Sequence, residues 1–162
     1  MQNPDCLFCK FVAGTLPCHK VYEDEKHLAF LSIFPNTEGV TVVIPKDHCH
    51  SYVFMNTDEV ISELMLAAKK VAMQIDAAFP DVGRTGVIFE GFGIDHLHAK
   101  LFPMHDTAHT LQEWQAIESK HAFEKPKRFF ERYEGYLSSH DCPEMENERL
   151  AKIAERIRAA AV

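Results

Sequence analysis

The pattern of apolar and polar positions is clearest over residues 96–101, where it alternates at every step. The apolar positions are Leu97, Ala99 and Leu101. The opposite positions hold two imidazoles and an ammonium, those of His96, His98 and Lys100. Alternation with a period of two predicts a β-strand, in which side chains two residues apart share one face at about 7 Å spacing. Glycines precede this basic row and Pro103 closes it, which favours a functional site over an ordinary solvated face.

Four further segments are short and strand-like, and the one over residues 40–44 is rich in β-branched residues. They are residues 19–23, 27–31, 40–44 and 86–90. Three charged residues, 24–26, separate the first two segments and predict the loop of a hairpin. Together with the alternating segment, these runs predict a mostly antiparallel sheet of about five strands.

A long amphipathic helix is predicted over residues 57–79, where apolar residues recur at helical spacing. We expect Asn56 to cap it, with Glu59 three residues on, and Pro80 to end it. Two neighbouring apolar stripes run along this helix. The first consists of Val60, Leu64, Ala67, Val71, Ile75 and Ala78, and the second of Ile61, Met65, Ala68, Ala72 and Phe79. Such a wide apolar surface predicts burial against the sheet on one side and against a second surface, such as another subunit, on the other.

The C-terminal third has a different organisation. Residues 110–113 form a capping box that predicts a helix through about residue 121. Residues 125–133 are basic and aromatic, but interleaved glutamates favour packed aromatics with solvated charges over a nucleic-acid surface. The helical spacing of four apolar residues predicts a last helix with a basic C-terminal end. They are Leu150, Ile153, Ala154 and Ile157.

Composition and charge narrow the class of protein. The 162 residues are 46% apolar and 25% charged, which is ordinary for one soluble globular domain. The formal net charge of −7 supplies no general attraction for a nucleic-acid backbone, so we expect no nucleic-acid partner. No apolar run approaches the length of a membrane span, and residues 1–5 do not resemble a signal peptide. A cytoplasmic location is therefore expected.

The five cysteines are odd in number and irregularly spaced, which argues for free thiols or metal ligands and against a disulfide framework. Cys6 and Cys9 form a C-x-x-C pair, a spacing that suits a zinc site or a redox-active pair. The redox interpretation requires a preceding strand, which a pair so near the N-terminus lacks, so metal binding is favoured. Two buried thiols without a ligand remain the alternative, because the pair supplies only two of four ligands.

Taken together, four segments resemble the histidine triad (HIT) superfamily of nucleotide hydrolases and transferases. They are residues 6–10, 20–30 and 42–46, and the H-x-H row that ends at Pro103. The resemblance covers about the first 105 residues. It implies an α+β fold with a HIT-like nucleotide-binding core over residues 1–105, and it leaves residues 106–162 as a helical extension packed on the same domain.

The chain departs from the family pattern at four places. Lys100 stands at the third histidine position of the motif, and the glycine-rich approach to it is reduced to residues 91–94. Ser32 stands where an acidic residue usually holds the ribose, and Val40 where a further histidine often precedes the strand. These differences leave the nucleophile position, His98, unchanged and alter the contacts expected for the sugar.

The resemblance also implies a structural zinc site. Zinc-containing members use the C-x-x-C pair, the histidine after the proline-lysine turn and the first triad histidine. The matching residues are Cys6, Cys9, His48 and His96, with His50 or Cys49 as substitutes for His48. Two thiolates and two imidazoles suit a tetrahedral Zn²⁺ with no position left for water, which predicts a structural role.

The implied chemistry is nucleotidyl transfer to a histidine. His98 is expected to attack the α-phosphorus of a nucleoside phosphoramidate, an acyl-nucleotide or a dinucleoside polyphosphate. Lys100 is expected to favour neutral His98 and to attract phosphate oxygens. Gly91 and Gly93 are expected to bring backbone N–H groups near those oxygens, and Ser32 is a candidate substrate contact.

Two other functions remain open at this point. One is a non-catalytic, zinc-stabilised module that binds nucleotides or other partners, which the altered third histidine position favours. The other is a redox protein that uses the C-x-x-C pair. The family commonly pairs two units through their sheets and helices, so a homodimer is also expected.

Overall fold

The computed structural model describes residues 3–114 and 144–160. Five strands form one sheet in the order β1-β2-β3-β5-β4, and every neighbouring pair is antiparallel. The strands are β1 (Lys20–Glu23), β2 (His27–Leu31), β3 (Thr41–Pro45), β4 (Thr85–Ile88) and β5 (Ala99–Pro103). The α-helices are α1 (Leu7–Val12), α2 (Asp58–Ala78) and α3 (Asn147–Ala159). The predicted five-stranded α+β fold is confirmed.

Asp24 stabilises the loop of the predicted hairpin of β1 and β2. Its Oδ1 atom accepts from the backbone N–H of Lys26 at 2.9 Å and of His27 at 2.6 Å, and its Oδ2 accepts from the Tyr22 hydroxyl at 2.7 Å. Burial alone would raise the pKa of Asp24, but these donors outweigh it and lower the pKa to about 2. The carboxylate therefore stays ionised and holds the turn.

The sheet is covered on both faces, as the cross-strand register shows. One row faces α2 and α3 and includes Ala29, Val43 and Ala99. The neighbouring row includes Phe30, Val42 and Lys100, and its two apolar members pack with residues of α1. Because both faces are covered, every residue of β2 and β3 is buried.

Helix α2 begins one residue later than expected. Thr57, not Asn56, is the N-cap, and its side chain accepts from the Val60 N–H at 3.4 Å. The Asn56 amide instead donates to the carbonyl oxygens of His50 at 2.8 Å and Tyr52 at 3.1 Å. The expected cap was wrong because the amide of Asn56 closes the preceding loop, which leaves the threonine hydroxyl for the helix.

The two apolar stripes of α2 have different environments. Most of the first stripe lies in the core, and Ala68 and Phe79 of the second stripe are buried there too. Met65 of the second stripe is 44% exposed. Two further apolar residues of α2, Leu66 and Met73, are 60% and 48% exposed. Part of the second surface expected for α2 is therefore α3 of the same chain, and part is uncovered.

The alternating segment is shorter as a strand than its pattern predicts. β5 starts at Ala99, so His96 and His98 lie in the segment that leads into it. The basic row is also far from solvated, since His96 is 0% and His98 3% exposed. The alternative of an ordinary solvated face is therefore excluded for these two histidines, because α1 covers this side of the sheet. Helix α1 was not predicted, since fewer than two turns show no clear helical period.

Two segments of the C-terminal third can be compared with their predictions. Residues 108–111 form a short 3₁₀-helix, in which the Thr110 hydroxyl donates to the Thr107 carbonyl at 2.8 Å. Thr110 therefore does not cap a helix, and most of the predicted helix lies outside the described residues, as do residues 125–133 and 138–140. The predicted last helix is confirmed as α3, whose four apolar residues are buried. It packs against α2 and β1.

Among the described residues, no helix combines the length and the apolar character required to cross a membrane.

Gly39 provides a test of how tightly the sheet packs on α2. Its φ is +86°, and a Cβ atom there would lie 2.8 Å from Cε2 of Phe79. Gly14 has a similar φ of +71° but open space around it. We expect Gly39→Ala to lower the free energy of unfolding by roughly 3 kcal/mol, the sum of backbone strain and overpacking, and Gly14→Ala by about 1 kcal/mol. Urea denaturation at pH 7 measures both, and equal losses would contradict the packing argument.

Candidate functional site

Four side chains from three parts of the chain converge beneath α1. Cys6 is the N-cap of α1 and Cys9 lies within it, His48 follows β3, and His96 precedes β5. The Nδ1 atom of His96 lies 3.4 Å from Cys6 Sγ and 3.6 Å from Cys9 Sγ. His48 Nδ1 lies 3.5 Å from Cys9 Sγ, and all four candidate ligand atoms lie within 4.8 Å of one another. The structure thus brings together the set of ligands expected from the sequence.

The geometry fits a tetrahedral metal ion. Bonds of about 2.3 Å to sulfur and 2.05 Å to nitrogen, at the tetrahedral angle, put sulfur and nitrogen about 3.5 Å apart, which matches the spacing here. The Nε2–H of His96 donates to the Pro45 carbonyl at 2.9 Å, and this directs the Nδ1 lone pair at the thiols. Neither Cys49 nor His50, the two substitutes considered for His48, belongs to the cluster.

His98 is buried beside this cluster with one ring nitrogen engaged. Its Nδ1–H donates to the His96 carbonyl at 2.7 Å, so the neutral ring keeps its lone pair on Nε2. Burial lowers the pKa of His98; the bond to the His96 carbonyl opposes this shift and the charge of Lys100 adds to it. The ring is therefore neutral near pH 7, with a nucleophilic Nε2.

Phe8 joins the two histidines to α1. Its ring meets His96 at a centroid distance of 5.8 Å and His98 at 5.5 Å, in edge-on geometry in both cases. The same ring packs on Phe30 of β2 at 5.4 Å. Sequence reasoning missed Phe8. Its position between Cys6 and Cys9 in the sequence could have indicated this role, because a residue between the two cysteines lies close to any site that they form.

Lys100 is paired with an acidic residue that the sequence analysis did not single out. Its Nζ atom lies 3.2 Å from Oε2 of Glu90, and the two side chains are 23% and 27% exposed. Lys100 is opposite Ile88 on β4, two residues before Glu90. Pairing the last two predicted strands as an antiparallel hairpin would have brought Glu90 near the basic row.

The remaining predicted residues lie in two places. Gly91 and Gly93 lie between β4 and β5, with φ of +71° and +85°, and a Cβ atom at Gly91 would lie 3.0 Å from the Ser51 carbonyl oxygen. Both positions therefore need glycine. Ser32 directly follows β2, which β3 separates from β5. Its hydroxyl accepts locally, from the Phe34 N–H at 3.3 Å.

An antiparallel five-stranded sheet with an alternating histidine segment beside a Cys₂His₂ cluster is the arrangement that the resemblance to the histidine triad superfamily implied. The chain belongs to the HIT family, because the family model described as "HIT domain" matches residues 13–113.

Relatives with known names agree with this assignment. Protein hit of Bacillus subtilis is 39% identical over 103 residues, which cover 61% of this chain and 70% of that protein. Adenosine 5′-monophosphoramidase of Schizosaccharomyces pombe is 36% identical over 99 residues, which cover 60% of this chain and 73% of that protein.

A solved structure shows the same fold over almost the whole chain. It is a Zn-bound histidine triad family protein from Mycobacterium smegmatis, with a TM-score of 0.66. The match covers 97% of this chain and 93% of that one at 22% sequence identity.

Proposed function

We propose that this chain is a nucleotide hydrolase that acts at the α-phosphate of its substrate through a covalent nucleotidyl intermediate on His98. The observation that carries the proposal is the hydrogen bond from His98 Nδ1 to the His96 carbonyl at 2.7 Å, which places the lone pair of the neutral ring on Nε2, the atom proposed to attack. The similarity to proteins named adenosine 5′-monophosphoramidase supports a nucleotide hydrolase.

The proposed reaction has two displacements at phosphorus. In the first, His98 Nε2 forms a bond to the α-phosphorus while the bond to the leaving group breaks, and its electron pair departs with the leaving group. In the second, water attacks the same phosphorus, the P–N bond breaks, and a nucleoside monophosphate and a proton are released. Lys100 attracts the phosphate oxygens, and the backbone N–H groups at Gly91 and Gly93 are candidate donors to them. Ser32 remains a candidate contact for the sugar.

The nucleophile is tested by trapping the intermediate. After brief incubation with adenosine 5′-phosphoramidate or diadenosine tetraphosphate and an acid-free quench, mass spectrometry is expected to show one nucleotidyl adduct, on His98. We expect His98→Ala to form no adduct and to lose roughly 10³-fold or more in turnover, because the two-step route is removed.

The matched control is His109→Ala, since His109 is exposed and lies in the 3₁₀-helix after β5, outside the motif. Its turnover is expected to equal that of the wild type. If the wild type binds nucleotide but forms no adduct and no product, the non-catalytic binding module replaces the hydrolase as the function.

We also infer that Cys6, Cys9, His48 and His96 hold a structural Zn²⁺. The sulfur–nitrogen distances of 3.4 to 3.6 Å support this ion, and a set of four protein ligands keeps no position for water or substrate. The ion would join α1 to the segments after β3 and before β5. Its expected role is to stabilise the packing of Phe8 on the two histidines.

Metal content and thermal stability test the zinc proposal together. Purified protein is expected to contain about one zinc per chain, and a chelator is expected to lower its melting temperature by about 10 °C. Cys9→Ser is expected to lack zinc and to be insensitive to the chelator, whereas Cys18→Ser, with its thiol outside the cluster, should behave like the wild type. Metal-free wild type with a reversible Cys6–Cys9 disulfide would instead support the redox interpretation.

We propose a homodimer that uses the open side of α2 and the edge strand β4. The exposed Met65, Leu66 and Met73 support the helix contact, and Val87 on β4 is 39% exposed. Light scattering at micromolar concentration is expected to give twice the 18.5 kDa mass of the chain. Leu66→Glu is expected to shift the mass to one chain, while Leu16→Glu, on a loop after α1, leaves it unchanged. A monomeric wild type would contradict the proposal.

A further inference from the structure

The ion pair of Lys100 with Glu90 occupies the part of the site where the family motif has its third histidine. We propose that this pair selects nucleotides whose leaving group departs as an anion, and that Glu90 is the residue that positions Lys100 for this purpose. The leaving groups concerned are carboxylates and phosphates, as in acyl-nucleotides and dinucleoside polyphosphates. The proposal rests on the nucleotidyl-transfer function proposed above.

The strand register explains why these two side chains meet. Lys100 lies directly opposite Ile88 in the antiparallel pair of β4 and β5. Continuing that register by two residues brings Glu90 beside His98, so Glu90 and Lys100 are diagonal neighbours on the same face. The observed Nζ–Oε2 distance of 3.2 Å agrees with this placement. The pair therefore adjoins the proposed nucleophile.

Partial burial makes this pair different from ordinary surface pairs. The side chains of Lys100 and Glu90 are 23% and 27% exposed, whereas those of Lys152 and Glu148 on α3 are 73% and 82% exposed. Reduced contact with water strengthens the attraction between the charges and limits screening by salt. Glu90 thus restrains an otherwise flexible lysine. An ammonium has three N–H donors, so binding to Glu90 is compatible with donation to a substrate oxygen.

The charge of the leaving group decides which substrates benefit from a lysine at this position. When the P–O bond of an acyl-nucleotide or polyphosphate breaks, the electron pair stays on oxygen, and a fixed ammonium stabilises that negative charge without transferring a proton. When the P–N bond of a phosphoramidate breaks, the nitrogen must gain a proton to leave as a neutral amine. An alkylammonium gives up a proton near neutral pH less readily than an imidazolium does. Lysine therefore favours anionic leaving groups.

The test compares two kinds of adenosine substrate with each enzyme variant. The first kind has an anionic leaving group, as in acetyl-adenylate or diadenosine tetraphosphate, and the second is adenosine 5′-phosphoramidate. The readout is the ratio of their kcat/KM values, which cancels general losses of folded protein. We expect Lys100→His to shift this ratio toward the phosphoramidate by about tenfold or more. Lys100→Gln, which also lacks the ammonium, serves as a second variant if the first does not fold.

Glu90→Gln tests the positioning role. It is expected to lower kcat for the anionic leaving groups by about three- to tenfold with little change in KM, because the ammonium is then misplaced in the transition state. Glu90→Asp should recover part of the loss. In a Lys100→Gln background, Glu90→Gln should cause no further change in the ratio, since the two residues act as a unit. Glu148→Gln, which breaks the exposed pair on α3, is the matched control and should leave the ratio unchanged.

Two results would overturn the proposal. If a nucleotidyl adduct forms on His98 but the substrate ratio is the same in the wild type, Lys100→His and Glu90→Gln, then the pair does not select the leaving group, although the proposed function stands. If no adduct forms on His98 with any of these substrates, the proposed function and this inference fail together.

Discussion

The convergence of two thiols and two imidazoles beneath α1 is the constraint on which the rest of the site depends. The contacts from His96 to Cys6 and Cys9 join residues 90 and 87 positions apart in the chain. Through Pro45, whose carbonyl accepts from His96, the end of β3 enters the same arrangement. Helix α1 has only six residues and no side-chain N-cap, so its own hydrogen bonds contribute little to its position. The cluster and the packing of Phe8 hold it against the sheet.

That placement has a direct effect on the chemistry of the site. Because α1 covers one face of the sheet, His98 is buried against Phe8, and this burial favours its neutral form, while the hydrogen bond to the His96 carbonyl fixes the orientation of the ring. Phe8 contacts both histidines, so the residue proposed to bind metal and the residue proposed to attack phosphorus share one packing partner. The proposed metal site and the proposed nucleophile are thus connected through Phe8, although they consist of different residues and have different roles.

Lys100, which stands at the third histidine position of the motif, forms an ion pair with Glu90. Without a partner, the lysine side chain would be long and flexible, and its ammonium group would have no fixed position near the buried imidazole. Paired with Glu90 and partly shielded from water, it becomes a local, oriented charge beside the proposed site of phosphoryl transfer. This arrangement is the physical basis for the proposal that a departure from the motif changes substrate preference while His98, the proposed nucleophile, is retained.

The sequence by itself predicted the strands, the long helix and the last helix, because short-range periodicity reports on these features directly, and its resemblance to the HIT family implied the four residues of the Cys/His cluster. It did not reveal that α1 exists, that the histidine row is buried, or that Phe8 and Glu90 join the site. It also led to the wrong cap for α2, because Asn56 and Thr57 are both suitable and only the loop contacts of Asn56 decide between them. Burial on both faces of a sheet depends on which distant segment packs there. Only the tertiary structure could therefore decide that the alternating basic row is an enclosed site and not a solvated surface.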